Sequence, residues 1–352
     1  MSRYLSEKYQ TLEVYTPGEQ PRDMQYVKLN TNESPYPPAP GVVEAVSAEA
    51  SCLQLYSDPE CAALRDALAA RYGVTRENVY VSNGSDDILN FAFMAFVGDG
   101  ATAFFPDISY GFYKVFAELN GVRYRQIPLK DDFSIDPRDY AGLGGFIAIA
   151  NPNAPTGLAL NIAQIEDIIK SNPDNVVLID EAYVDFGAQS CVTLTGKYDN
   201  LLVVRTFSKS RGMAGARLGF AIASKGLIAD LDRIKYSTNP YNVNRMTLAA
   251  GVATLANDDY NAANCRRIIQ TREAAISRLR AMGFEALPSQ ANFVFVRHPG
   301  AGGGTLYREL KKRGVLVRHF DAPRISDYLR ITVGTPEQME KLFEAMKDIL
   351  EG

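Results

Sequence analysis

The stretch Thr206–Phe220, TFSKSRGMAGARLGF, decides the interpretation of this 352-residue chain. It continues the apolar run LLVVR and sets one lysine, Lys209, among small residues, with Arg217 further along. Such a run predicts a buried strand, and ligand groups gather at the carboxyl ends of strands in a parallel sheet. A lysine there loses water and is suited to attack a carbonyl carbon, forming a Schiff base. A solvated surface lysine is the ordinary alternative.

Short apolar runs alternate with helical patterns through the middle of the chain. This alternation predicts an α/β fold with a mostly parallel sheet of the seven-stranded type, flanked by helices. We predict helices over Asp86–Val97, Tyr110–Leu119 and Ile162–Ser171. We predict strands in NVYVS, ATAFFP, GFIAIAN, NVVLID, NLLVVRT and ARLGFAIA.

The pattern changes near Asn239, after which a long helical segment, Asp258–Met282, precedes short strands and helices. We therefore predict three parts. An N-terminal arm, 1–40, joins the small domain; a large domain spans 41–245; and a smaller α/β C-terminal domain spans 246–352. The arm is rich in proline and asparagine, as in KLNTNESPYPPAPG, which favours extended chain.

Composition excludes several classes of function. The formal charge of −4 argues against nucleic-acid or anionic-membrane partners, and no apolar stretch is long enough to span a bilayer. The N-terminus lacks the apolar core of a signal peptide. Four cysteines without a CxxC pair favour a reducing cytoplasm and argue against a zinc site, so we expect no metal. Two histidines are too few for a mechanism built on several.

Asp180 ends NVVLID and precedes EAY. A carboxylate at the end of a buried strand is desolvated and requires a cationic partner or strong donors. A protonated pyridine nitrogen supplies that partner, and its charge makes the ring an electron sink. The alternative is that Asp180 caps the next turn, but the presence of Lys209 favours the ligand-binding role. Tyr183 lies where a phenol reaches a ring hydroxyl, or where a core tyrosine packs.

Two loops carry groups suited to a phosphate. In Asn83–Asp87, NGSDD, Gly84 permits close backbone approach, and the amides at Ser85 and Asp86 open a helix whose start can hold an anion. An ordinary N-cap is the alternative. Three residues of the second loop are placed to close the other side of the phosphate: Thr206, Ser208 and Arg217.

Two further segments suit a flat ring. Tyr110, after FFPDIS, offers an aromatic face, with stacking worth about 1 kcal/mol, or else packs at a helix start. NPNAPTG, Asn151–Gly157, is a rigid proline-bounded turn that presents an asparagine to a ring hydroxyl or connects strand to helix.

These residues, in this order, resemble the histidinol-phosphate aminotransferase family of fold-type I, class II pyridoxal-phosphate enzymes. The resemblance covers nearly the whole chain and includes KLNTNESPY, YSDPECAALRDALAARYGV, NGSDD, NPNAPTG, LIDEAYVDF, TFSKSRGMAGARLG and YLRITVGTPEQ. It implies pyridoxal 5'-phosphate as cofactor, with the aldimine on Lys209, the pyridine nitrogen at Asp180 and the ring oxygen at Tyr183. It also implies stacking by Tyr110 and a phosphate surrounded by Gly84, Ser85, Asp86, Ser208 and Arg217.

Two implications concern particular residues. Tyr56 matches a tyrosine that the family lends to the cofactor phosphate of the partner subunit, so a homodimer is expected. The family usually reads NPNNPTG, and the second of the paired asparagines binds the ring oxygen. Here that place is Ala154. We hypothesise that Asn153, or Tyr183 alone, fills the role.

Arg318, in GVLVRHF, and Arg330, in YLRITVG, suggest recognition of a carboxylate or phosphate, although arginines more often form salt bridges. The resemblance implies that both hold the phosphate of histidinol phosphate, aided by Tyr15 from the arm. Asn32 and Glu33, in the arm motif, are placed to approach the substrate imidazole.

The expected reaction is transamination of L-histidinol phosphate with 2-oxoglutarate in histidine biosynthesis (EC 2.6.1.9). Lys209 serves as the base, and two half-reactions on one site predict ping-pong kinetics. An aromatic amino-acid aminotransferase and a threonine-phosphate decarboxylase are alternatives on the same scaffold. A non-catalytic binding protein with this fold is a remote alternative, since such a protein is expected to lose the lysine or the aspartate.

Overall fold

The structure, a computed structural model, describes residues 2–13 and 15–352. The strands in these residues are β1 Val27–Lys28, β2 Val79–Ser82, β3 Thr102–Pro106, β4 Arg123–Ile127, β5 Phe146–Ala150, β6 Val177–Asp180, β7 Leu201–Thr206, β8 Gly219–Ala223, β9 Glu285–Ala286, β10 Phe293–Arg297, β11 Val315–Leu316, β12 Arg318–His319 and β13 Tyr328–Thr332. The α-helices are α1 Val42–Ala50, α2 Ala62–Tyr72, α3 Ser85–Phe96, α4 Phe112–Asn120, α5 Ile162–Lys170, α6 Lys225–Thr238, α7 Arg245–Leu255, α8 Asp258–Ala281, α9 Gly303–Lys312 and α10 Pro336–Glu351.

Seven strands form the central sheet, in the order β2-β8-β7-β6-β5-β3-β4. The pairs from β4 to β7 are parallel, and β8 runs antiparallel to both of its neighbours. Alternate side chains of β5 enter two different cores, with Ile147 and Ile149 on one face and Ala148 and Ala150 on the other. The continuous apolar runs therefore belong to strands covered on both faces, which confirms the predicted α/β fold.

A second sheet orders its four antiparallel strands β12-β13-β10-β9 and packs with α8, α9 and α10 around a separate core. The arm joins this part of the molecule through β1, which pairs in parallel with β11. The division at residues 40 and 245 stays a prediction. Within 2–13 and 15–352, no helix has both the length and the hydrophobicity to cross a bilayer.

The six predicted strands are present, and two differences have clear causes. β4, RYRQI, was not predicted because it is an edge strand with mostly exposed polar residues. Within the C-terminal segment that was predicted to hold short strands and helices, VLVRHF forms two strands, because β11 pairs with the arm whereas β12 pairs with β13. The predicted helix at Tyr110 begins at Phe112.

Candidate active site

Two adjoining cavities lie at the carboxyl ends of the central strands. The strand-end cavity, of about 370 Å³, is lined by Asp180 at the end of β6, Thr206 at the end of β7, and the first turn of α3. The arm-side cavity, of about 420 Å³, is lined by the arm and by β12 and β13. Five residues line both cavities: Thr31, Tyr110, Ala154, Tyr183 and Lys209.

Asp180 is a buried carboxylate, 4% exposed, in the wall of the strand-end cavity. The Ala182 amide donates to its Oδ1 at 3.1 Å, and the Tyr113 hydroxyl donates to its Oδ2 at 3.1 Å. Among the described residues no cation pairs with it, and burial raises its pKa to about 7. A buried carboxylate without a counter-charge is costly, so the cavity suits a ligand with a cationic group at this point.

Lys209 stands at the border between the two cavities. Its Nζ donates to the backbone carbonyl of Thr31 at 3.3 Å and lies 5.8 Å from the ring centroid of Tyr183. No carboxylate of the described residues forms an ion pair with it. The amine is therefore presented to both cavities and is held only by one neutral acceptor.

The start of α3 and the loop after β7 form a cradle at one end of the strand-end cavity. Gly84 has a φ of +84°, a backbone conformation that residues with a side chain adopt only with strain, and a Cβ there would lie 2.8 Å from Arg217 Nη2. Arg217 Nη2 donates to Asp86 Oδ2 at 3.1 Å. Ser85 is the first residue of α3 and lines the cavity. Free helix amides and a guanidinium make this an anion-binding geometry.

The loop after β7 is fixed by hydroxyl groups. The Ser208 amide donates to Thr206 Oγ1 at 3.1 Å, and the two hydroxyls lie 2.9 Å apart. Tyr110 is held by the first turn of α3, where its hydroxyl donates to Asp86 Oδ1 at 2.7 Å. Burial raises the pKa of Tyr110 well above its ordinary value, so the phenol stays protonated and keeps donating.

Asn153, which the sequence assigned to the cofactor, lines neither cavity in the structure. Its Oδ1 accepts from Ser109 Oγ at 2.7 Å, and its Nδ2 donates to the Ile108 carbonyl and to Thr156 Oγ1, both at 3.0 Å. The amide is thus occupied in fixing the NPNAPTG turn. The neighbouring Ala154 lines both cavities in its place.

Arg318 and Arg330 are register partners on β12 and β13 and both line the arm-side cavity. Arg318 donates to the carbonyls of Thr16 and Pro17 at 3.0 and 3.2 Å, and Arg330 Nη2 donates to the Asn30 carbonyl at 3.1 Å. Arg330 Nε has no partner among the described residues, and burial lowers the pKa of this guanidinium. Neither arginine has an acidic partner among the described residues, so the pair is suited to bind an anion.

The other expected substrate residues come from the arm. Tyr15 lines the arm-side cavity with its ring stacked on Phe112, centroids 4.1 Å apart, and burial raises its pKa. Asn32 lines the same cavity, but its amide donates to the Tyr183 hydroxyl at 3.0 Å. Glu33 lines the strand-end cavity and pairs with Lys28 at 2.7 Å.

Tyr56 and Tyr113 both lie outside the lining of the two cavities. Tyr56 lines neither cavity; its side chain is 81% exposed and stacks on Tyr241 with centroids 4.5 Å apart. Tyr113, the donor to Asp180, was not predicted. The predicted helix Tyr110–Leu119 puts Tyr110 and Tyr113 on one face, which was the available signal, because residues three apart share a helix face. No cluster of metal-ligand side chains occurs among the residues that the structure describes.

The sequence model of the family described as "Aminotransferase class I and II" matches residues 24–346. The chain belongs to this aminotransferase family. Relatives named histidinol-phosphate aminotransferase include one from Brachyspira hyodysenteriae, 48% identical over 100% of both chains. Another, from Marinomonas sp. strain MWYL1, is 50% identical over 99% of this chain and 100% of its own. The expected family is confirmed.

Solved structures of an aminotransferase and of a decarboxylase share this fold. Histidinol-phosphate aminotransferase from Sinorhizobium meliloti, solved in complex with pyridoxal-5'-phosphate, has a TM-score of 0.88 at 25% identity and covers 100% of this chain and 98% of its own. L-threonine-O-3-phosphate decarboxylase from Porphyromonas gingivalis has a TM-score of 0.81 at 22% identity, covering 92% and 99%, which shows a shared fold alone.

Proposed function

We propose that the chain is a pyridoxal-phosphate-dependent histidinol-phosphate aminotransferase, with 2-oxoglutarate as amino acceptor. The main support for the proposal is that two cavities of opposite charge adjoin each other at the amine of Lys209. Among the described residues, a buried carboxylate without a cationic partner lines one cavity, two arginines without acidic partners line the other, and Lys209 borders both. The names of the relatives support the same activity.

The residues of the strand-end cavity fit the cofactor. Asp180 supplies the anion that a pyridinium nitrogen requires, and the glycine cradle at Gly84 supplies helix amides to a phosphate. Arg217 and Ser208 close the cradle, and Tyr110 offers its ring face. When bound, pyridoxal phosphate supplies an aldehyde for the amino group and a protonated ring that stabilises the carbanion left by proton removal.

Lys209 would supply the amine that holds the cofactor and, when that amine is free, the base placed to move a proton of the substrate. Asp180 maintains the ring proton because its carboxylate is desolvated and gains most from a nearby cation. Two successive half-reactions on one amine predict ping-pong kinetics.

The anion site favours a substrate with an anionic tail. Arg318 and Arg330 can donate to the phosphate of histidinol phosphate in one half-reaction and to the distal carboxylate of 2-oxoglutarate in the other, since both tails are anionic. Phenylalanine has no such tail, which disfavours an aromatic amino-acid aminotransferase. Threonine phosphate does have an anionic tail. In that case the identities of 48–50% to relatives named histidinol-phosphate aminotransferase favour histidinol phosphate.

We also propose a homodimer, to which Tyr56 contributes across the interface. In support, Tyr56 is exposed beside further exposed apolar side chains, Leu53 at 60% and Leu55 at 58%. Such a patch on a single chain marks a protein interface. The arm, 1–40, is proposed to move with the small domain, 246–352, because β1 pairs with β11. The free thiols of the cysteines support a reducing, cytoplasmic compartment.

The substrate assignment is tested with the purified holoenzyme and 2-oxoglutarate against three amines: histidinol phosphate, phenylalanine and threonine phosphate. We expect the highest kcat/KM with histidinol phosphate. A higher value with phenylalanine would refute the substrate, and release of carbon dioxide from threonine phosphate would indicate the decarboxylase.

The dimer is tested by complementation between Lys209→Ala and Tyr56→Ala subunits. A mixed dimer contains one site with both wild-type residues only if Tyr56 acts across the interface. After random re-association we expect activity from about a quarter of all sites. A mixture no more active than its two components would place Tyr56 outside the partner's site.

A further inference from the structure

Ala154 leaves one side of the site without a hydrogen-bond donor. The usual motif of the family has an asparagine here, but the alanine side chain lines both cavities. Asn153 does not compensate, because its amide is bonded to Ser109, Ile108 and Thr156. Tyr183 remains as the residue expected to meet the ring oxygen of the cofactor.

Asn32 controls how the Tyr183 hydroxyl is used. Its Nδ2 donates to the Tyr183 oxygen at 3.0 Å, so the phenol accepts on this side and keeps its own proton for another partner. No acceptor for that proton exists among residues 2–13 and 15–352, and Tyr183 lines both cavities. The hydroxyl therefore has its proton available for a ligand.

Asn32 is itself fixed in place. It is 1% exposed and has a φ of +55°, in the left-handed region. Thr332 Oγ1 donates to its Oδ1 at 3.1 Å and accepts from its backbone amide at 2.9 Å. Asn292 Nδ2 donates to its carbonyl at 3.0 Å. This bonding sets the amide orientation, with the Nδ2 group towards Tyr183.

We propose that Asn32 is a positioning residue that orients and strengthens Tyr183 as a donor to the cofactor ring oxygen, and so stands in for the amide missing at Ala154. A hydroxyl that accepts a hydrogen bond becomes a stronger donor, by about 10–30% in bond strength. The inference rests on the proposed function, because it assumes pyridoxal phosphate in the strand-end cavity. It assigns Asn32 to the ring and not to the substrate imidazole.

The test is the pH midpoint of the absorbance of pyridoxal phosphate bound to Lys209, measured without substrate. The ring oxygen shares a proton with the nitrogen of the lysine linkage, so a donor to this oxygen eases loss of that proton and lowers the midpoint. We expect Asn32→Ala to raise the midpoint by about 0.5 pH unit. Adding Ala154→Asn should bring it back towards the wild-type value.

A double-mutant cycle separates this role from a structural one. In a Tyr183→Phe protein, Asn32→Ala should leave the midpoint unchanged, because the donor through which it acts is absent. The titratable groups that face Tyr183 are Lys209, Tyr15, Tyr110, Tyr113 and Arg330. All of them stay in place in these variants, and the substitutions change no charge.

Three results would overturn the inference: an unchanged midpoint in Asn32→Ala, the same shift in the Tyr183→Phe background, or no return on adding Ala154→Asn. If Asn32→Ala does not take up cofactor, Thr332→Val carries the test, since it frees the amide without removing it. The proposed function fails in a different way, through a wild-type protein that binds no pyridoxal phosphate at Lys209.

Discussion

The strand-end cavity and the arm-side cavity share a wall but are built differently. The first lies at the ends of buried strands, and its uncompensated charge is the carboxylate of Asp180. The second lies between the arm and a pair of short strands, and its uncompensated charges are Arg318 and Arg330. A charge without a partner in a cavity lowers the stability of the folded protein, so it indicates a ligand group of the opposite charge. The contrast predicts a cation in one cavity and an anion in the other.

The largest effect is expected at the border of the two cavities. Lys209→Ala removes the amine that both cavities share, and turnover should fall at least about 1000-fold because anchor and base are lost together. The measurement is the steady-state rate, with borohydride trapping and peptide mapping of the label. Lys225→Ala, at an exposed lysine of α6, is the control and should behave as wild type. Label trapped at a different lysine would contradict the assignment.

Asp180→Asn removes the negative charge of the strand-end cavity. We expect it to weaken cofactor binding but to stabilise the cofactor-free protein. In the cofactor-bound protein it removes the counter-charge of the ring, and we expect the cofactor dissociation constant to rise about 100-fold, or about 3 kcal/mol. In the cofactor-free protein it should stabilise the fold, because burial raises the pKa of this carboxyl to about 7.

The stability gained in Asp180→Asn depends on pH, because the Asp180 carboxyl binds its proton differently in the folded and unfolded states. An acid whose folded pKa is raised holds its proton more tightly in the folded state, so its favourable contribution exists at low pH and is lost as pH rises to about 7. The stabilising effect of Asp180→Asn should therefore grow between about pH 4 and pH 7, to about 4 kcal/mol, and stay constant above. Thermal unfolding of the cofactor-free proteins across this range measures it. A gain that is independent of pH would contradict the role of the charge.

The positive charge of the arm-side cavity is tested by two single variants, Arg330→Leu and Arg318→Leu. Loss of charge-assisted hydrogen bonds to a phosphate should lower kcat/KM for histidinol phosphate about 10- to 100-fold. Unphosphorylated histidinol is the matched control substrate, and its kcat/KM should change little. An equal loss for both substrates would show that the arginine supports the fold and does not bind the tail.

The contrast also explains what sequence could and could not reveal. Asp180, Thr206 and Lys209 were predictable because each follows a continuous apolar run, and such runs end at one edge of a parallel sheet. The residue type of Arg318 and Arg330 suggested an anion, but their shared role at one phosphate came only from resemblance, since the runs around them do not show that β12 and β13 set them side by side. Cavities between distant segments leave no local pattern.

Asn32 and Asn153 show the same limit at single residues. The partners of the Asn32 amide, Tyr183 and Thr332, are 151 and 300 residues away in sequence, so its orientation follows only from the assembled fold. Asn153 was assigned to the cofactor because it stands beside Ala154, which occupies the place of the family's ring-binding asparagine. Its amide is instead satisfied within the turn and by the loop before α4, which no spacing rule indicates.

The smallest expected effect concerns Tyr113, which donates to Asp180 from outside the cavity lining. Tyr113→Phe removes the only side-chain donor to this carboxylate among the described residues. The lost bond should weaken the ionised form, raise the pKa of Asp180 further and increase the cofactor dissociation constant about 3- to 10-fold.

Tyr140→Phe is the matched control for that substitution. Its hydroxyl is also buried but has no hydrogen-bond partner in the described structure, so its removal takes away no bond. Cofactor dissociation measured by equilibrium dialysis should therefore change for Tyr113→Phe and not for Tyr140→Phe. Equal changes would mean that loss of a buried hydroxyl perturbs packing in general, and the negative charge of the strand-end cavity would then depend on burial alone and not on this donor.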